Sequence, residues 1–146
     1  MNKAADVVGL AVPFVWLGMV LAISVLEAPL KFRAPGVTLA LGLGIGRLVF
    51  RALNLAEVTL VAILTAVCSV TLRPGITGWA LLGAAWGLLV VQIVLLRPRL
   101  DRRALQIVAG GDLPPSRQHL AYIALEGVKI VVLVALGGAL LSGALA

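Results

Sequence analysis

Three carboxylates, Glu27, Glu57 and Glu126, interrupt or border long apolar runs, and each has polar or cationic companions at helical spacing. Ser24, Glu27 and Lys31 form one such set. Arg47, Arg51, Asn54 and Glu57 form a second, and Gln118, Tyr122, Glu126 and Lys129 a third. Offsets of three and four stack side chains along one face of an α-helix. A carboxylate beside an ammonium or guanidinium group can hold a proton, bind a small polar solute or ion, or close a structural ion pair.

The surroundings of these groups sharpen the choice. The chain has 146 residues, 62% of them apolar and 12% charged, with a mean hydropathy of +1.14. Soluble chains are roughly 45–50% apolar and about 25% charged. A soluble fold of this length cannot hide so much apolar surface, whereas a bilayer accepts it. The expected fold class is therefore all-α: a polytopic membrane protein built as a four-transmembrane-helix bundle, one domain over residues 1–146. A charge at mid-bilayer costs about 2.5–3.5 kcal/mol on insertion scales, so intramembrane acids and bases are paired or functional. Glu27, Glu57 and Glu126 are balanced by Arg47, Arg51 and Lys129. The three stripes are therefore expected to face one another in a shared polar cluster of Glu27, Arg47, Arg51, Asn54, Glu57, Tyr122, Glu126 and Lys129. The third apolar run has only Gln92 and is expected to pack as scaffold.

The spans are expected at about 7–27, 48–71, 76–96 and 120–145, each near the length that crosses a hydrocarbon core of roughly 30 Å. The first run is too long for a signal peptide, and Leu26-Glu27-Ala28-Pro29 is a poor cleavage site. Pro13 should kink it. Val37 to Gly46, with Gly42, Gly44 and Gly46, reads as a short interfacial or broken piece before the second span. Arg73-Pro74-Gly75 is a turn, and Arg97-Pro98-Arg99 should stop the third span. The connector 97–118 contains Gly110-Gly111 and Pro114-Pro115. Its Leu100 to Val108 stretch reads as a surface helix, and Ser116 could cap the last span.

Charge gives a direction. Lys31, Arg33, Arg97, Arg99, Arg102, Arg103 and Arg117 fall in the loops after spans one and three; Lys3 and Arg73 fall on the other side. The positive-inside rule puts both basic connectors in the cytoplasm and both termini outside, in the cell inner (plasma) membrane. The net charge of +6 thus belongs to topology rather than to nucleic acid. Arg97, Arg99, Arg102 and Arg103 are placed to contact anionic lipid.

Other residues carry less. His119 opens the fourth span as a proton relay or as an ordinary interfacial histidine, and a lone histidine makes no metal site. Cys68 reads as a small buried hydrophobe. Trp79 and Trp86 share a face suited to lipid contact or packing. Gly83/Gly87 and Gly138/Ser142 have the small-xxx-small spacing that lets helices approach, within the bundle or in a homodimer. No Walker lysine, H-E-x-x-H or G-x-S-x-G is present, and one histidine cannot give bis-imidazole haem ligation. No cofactor is expected. An enzyme is the lesser expectation, reduced to acid–base chemistry on a lipid or quinone.

The chain resembles a small bacterial four-helix membrane family of unknown function, related to the eukaryotic transmembrane proteins linked to cisplatin resistance. The residues that carry the likeness are Trp16-Leu17-Gly18, Ala28-Pro29-Leu30-Lys31-Phe32, Gly46-Arg47-Leu48-Val49-Phe50, Arg97-Pro98-Arg99-Leu100 and His119. Family members more often continue with aromatic or proline residues where this chain has Arg51, Asn54 and Glu57. The resemblance implies the topology and is in keeping with solute or metal export. Copper handling would want methionines and histidines that are lacking here. The expected function is a small permease or channel-like protein for a small polar solute or ion. The alternative is an accessory or assembly subunit whose ion pairs are structural, a reading that the balance of signs favours.

Overall fold

The structure, a computed structural model, describes residues 3–114 and 116–145; Pro115 of the connector lies outside them. Four helices are long and apolar enough to cross a membrane: α1 (Lys3–Arg33), α2 (Leu39–Leu72), α3 (Ile76–Val108) and α4 (Arg117–Leu145). They pack as an up-and-down bundle in which α4 lies against α1 and α3, and α2 against α1 and α3.

The core repeats one spacing. Val61, Leu64 and Cys68 of α2, Leu82, Ala85 and Leu89 of α3, and Leu133, Leu136 and Leu140 of α4 are buried at offsets of three and four. That is the seam of antiparallel helices crossing at a shallow angle. Val12, Trp16 and Val20 complete it from α1. The outward faces are as apolar as the seam: Val7, Leu48, Leu55, Val70, Ile76 and Val131 are all exposed. Water-soluble monomers rarely expose contiguous apolar surface on this scale. Such a coat fits a bilayer, with the core held by packing and polar contacts rather than by exclusion of water.

Two helices are longer than their sequence suggests. The Val37 to Gly46 stretch is not a separate piece, because α2 runs unbroken from Leu39, with the Thr38 hydroxyl accepting the Leu41 N–H at 3.2 Å. The glycines serve close approach instead of flexibility. A Cβ at Gly42 would overlap the Phe32 ring, and one at Gly46 would crowd the Lys31 ammonium. Nor does Arg97-Pro98-Arg99 stop α3, which continues to Val108 and carries the basic connector as its final turns.

Pro29 and Pro98 are carried inside continuing helices behind a wider turn. Leu21–Glu27, Cys68–Leu72 and Val91–Leu96 form π-helical segments. Pro29, Pro74 and Pro98 each stand two positions beyond the end of one. A proline lacks an N–H and clashes with the carbonyl four residues back; the π turn moves that carbonyl aside. In α2 the wide turn ends the helix, with Arg73 in the left-handed region (φ 41). In α1 and α3 the helix goes on. Pro13 is also accommodated within α1. Ser116 does cap α4, accepting the Gln118 N–H at 3.1 Å.

Candidate functional site

The residues that bind the four helices together are polar. Lys129 of α4 and Glu57 of α2 are both 0% exposed. The Lys129 ammonium donates to Glu57 Oε1 at 2.6 Å and to Glu126 Oε1 at 2.9 Å. From α1, the Trp16 indole N–H donates to Glu57 Oε1 at 2.9 Å, and the Ser24 hydroxyl donates to Glu126 Oε2 at 2.9 Å. From α3, the Gln92 amide donates to Glu126 Oε1 at 2.8 Å. Every helix contributes a ligand to this centre. Lys129 and Glu126 share a face of α4 three residues apart, which lets one ammonium bridge its own helix and α2.

The centre is unevenly satisfied. Both Glu126 oxygens accept hydrogen bonds, whereas Glu57 Oε2 is buried without a partner. Gln92 Oε1, Asn54 Oδ1 and the Tyr122 hydroxyl are likewise buried and unpartnered. Buried polar atoms are almost always paired with protein or with ordered water, so each of these atoms calls for a hydrogen-bond partner beyond the described side chains. Two carboxylates meet one ammonium, so the centre has one acid more than it has bases.

The expected shared cluster divides into parts. Glu57, Glu126 and Lys129 come together as expected, with Tyr122 one turn below and its ring edge-on to Phe50 at 5.7 Å between centroids. Glu27 does not join them; it pairs with Lys31 at 3.3 Å. Arg47 and Arg51 do not join them either. Arg47 lies 3.7 Å from Asp101, which also lies 3.4 Å from Arg97. Arg97 donates to the Arg47 carbonyl at 3.0 Å and stacks 5.3 Å over the Phe50 ring, which Lys31 also approaches. This basic and aromatic layer closes one end of the bundle. Arg51 and Asn54 line an open groove between α2 and α3. His119 is exposed on the first turn of α4 and stands outside the buried centre.

The α3 helix is more than scaffold, because Gln92 is fully buried and bonded into the centre. The signal was present: a lone amide in an apolar span must find a partner inside the protein. Trp16 gave a weaker one, since an interior indole needs an acceptor for its N–H. Trp86 does pack, donating to the Thr65 hydroxyl at 3.0 Å, while Trp79 faces outward. Cys68 is buried in the seam. Gly83, Gly87 and Gly138 lie on open surface, where an added Cβ meets nothing, so their spacing serves no helix contact within the bundle. Among the described residues no group of histidine, cysteine, aspartate or glutamate side chains is arranged to hold a metal ion. Comparison with known protein families, with curated proteins and with solved structures gives no match to this chain.

Proposed function

We propose that this protein is a small permease or channel-like protein of the plasma membrane, moving a small polar solute or ion with a proton exchanged at Glu57. One observation supports the reading above the rest: two buried carboxylates share one ammonium, and Glu57 Oε2 is left without a partner. The centre takes one further positive charge. A proton on Glu57 Oε2 supplies it, and an arriving cation that displaces that proton to water, taking its place beside the carboxylate, changes the attraction between α2 and α4. Intramembrane acid–base pairs at such positions serve as relays in pumps and transporters. The short motifs that carry the resemblance to a small bacterial four-helix family lie together at the basic end, through Lys31, Phe32, Gly46, Phe50 and Arg97. The same end carries Arg33, Arg99, Arg102, Arg103 and Arg117 and is assigned to the cytoplasm, with both termini outside.

The test is flux in proteoliposomes loaded with a pH-sensitive dye, with sodium, potassium, ammonium and chloride supplied in turn under an imposed pH gradient. Wild-type protein is expected to move protons with one of these ions. Glu57→Gln and Glu126→Gln are expected to remove that movement while the melting temperature shows the fold intact. Unchanged flux in both variants overturns the mechanism.

The accessory-subunit reading has its own support: the centre ties all four helices by direct bonds of 2.6 to 2.9 Å. It expects a stable partner protein to co-purify, no flux at all, and retention of stability when Glu126 and Lys129 are exchanged.

A further inference from the structure

The groove between α2 and α3 near the basic end has a volume of about 730 Å³ and is ordered along its length. Arg51, Asn54, Arg97 and Asp101 line it toward the basic end; Leu55, Val58 and Ile93 line it toward the middle of the bundle. Arg51 to Val58 covers about 10 Å at 1.5 Å per residue. The charged groups lie toward the basic end and the apolar wall continues away from it, in the order of the two halves of a membrane lipid.

The polar end is built to receive an anion. Arg51 is exposed and forms no ion pair among the described residues. Asn54 is only 7% exposed, and its Oδ1 has no partner among the described residues; as an acceptor it calls for a donor beside the anion, such as a headgroup hydroxyl. The Arg97 Nε–H is buried and also unpartnered, although another of its nitrogens reaches the Arg47 carbonyl and lies 3.4 Å from Asp101. Asp101 is the one carboxylate in the groove, and Arg47, 3.7 Å away, offsets it. Arg47, Arg51 and Arg97 against Asp101 leave the mouth two charges positive.

We propose that this groove binds one anionic glycerophospholipid of the cytoplasmic leaflet. Its phosphate lies between Arg51 and Arg97, its ester carbonyl accepts from the Asn54 amide, and one acyl chain follows Leu55, Val58 and Ile93. Guanidinium groups suit phosphate because their planar donors match its oxygens, and basic pockets between membrane helices take lipid headgroups in this manner. Leu55, 71% exposed, leaves the side of the groove open to lateral arrival from the bilayer. The inference rests on insertion in a membrane and not on transport, so it stands or falls apart from the flux assay.

Native mass spectrometry of the detergent-solubilised full chain tests it, after incubation with phosphatidylglycerol, phosphatidylcholine or inorganic phosphate. One phosphatidylglycerol is expected to stay bound when phosphatidylcholine is lost. Arg51→Gln is expected to weaken retention about 5- to 10-fold, the loss of one cation's attraction near the headgroups. Arg33→Gln, on exposed surface outside the groove, is expected to leave it unchanged. Equal retention of the two lipids, an equal effect of Arg51→Gln and Arg33→Gln, or displacement of the lipid by inorganic phosphate overturns the proposal. Arg51 has no protein partner, so its variant is expected to keep the wild-type melting temperature. A lowered one, with lipid retention unchanged, also counts against the site.

Discussion

Lys129 Nζ lies 2.6 Å from Glu57 Oε1, across the gap between α4 and α2, with both side chains wholly enclosed. Removing Lys129 leaves Glu57 and Glu126 buried with no cation, a loss of about 3–5 kcal/mol, whereas removing either carboxylate alone leaves Lys129 the other. Lys129→Met is therefore expected to lower the melting temperature sharply in detergent. The triple variant Glu57→Gln, Glu126→Gln, Lys129→Met removes both signs together and is expected to recover most of that loss. A Lys129→Met protein as stable as wild type would show that the pair carries no weight.

Gln92 adds a smaller increment. Hydrogen bonds between membrane helices contribute about 0.6 kcal/mol on average and at most about 1.7. Gln92→Leu is expected to destabilise within that range, well below Lys129→Met, since Glu126 keeps its bonds to Lys129 and Ser24. Urea or detergent-ratio unfolding of the two variants side by side checks the order.

The bundle and its acid–base centre were legible because four apolar runs of spanning length read as helices, and Glu57, Glu126 and Lys129 lie on polar stripes that such helices turn toward one another. Partners were less legible. Arg47 and Arg51 fall on the same stripe as Glu57, yet they lie toward the basic end, and Asp101 meets Arg47 there from a segment read as a separate surface helix. The extent of α2 and α3 was hidden by glycine and proline, whose ordinary meaning is interruption. Gly42 is instead a socket for Phe32, and Pro98 follows a widened turn. Neither accommodation follows from local propensity, because each depends on a neighbour distant along the helix or on another segment.

Glycines on the two sides of the bundle should answer oppositely to enlargement. Gly42→Leu drives a side chain into the Phe32 ring and is expected to cost about 1–3 kcal/mol, the usual penalty of overpacking. Gly83→Leu with Gly87→Leu meets nothing among the described residues and is expected to leave the stability within about 0.5 kcal/mol of wild type. Light scattering on the same samples reads the proposed homodimer: pairing through this face predicts that the double variant turns monomeric while staying folded.

Cys68 offers a direct measure of all these changes. It is the single cysteine of the chain and is 0% exposed. Alkylation is expected to be negligible in the folded protein and to appear only on unfolding. Its rate should rise in Lys129→Met and Gly42→Leu and remain at the wild-type value in Gly83→Leu/Gly87→Leu. Rapid labelling of the native protein would contradict the seam drawn through Val61, Leu64 and Cys68.

The widened turns ahead of Pro29, Pro74 and Pro98 bear on which changes in length this chain tolerates. Each residue of a helix turns the remainder by about 100°. A one-residue deletion within Leu21–Glu27 or Val91–Leu96 would swing Lys31 or Arg97 a quarter-turn or more away from Phe50, scattering the cationic floor of the bundle while sparing the hydrophobic seam beyond it. The register of the charged mouth is thus kept separately from that of the greasy interior, and insertions or deletions ahead of Pro29 and Pro98 re-aim the one without dismantling the other.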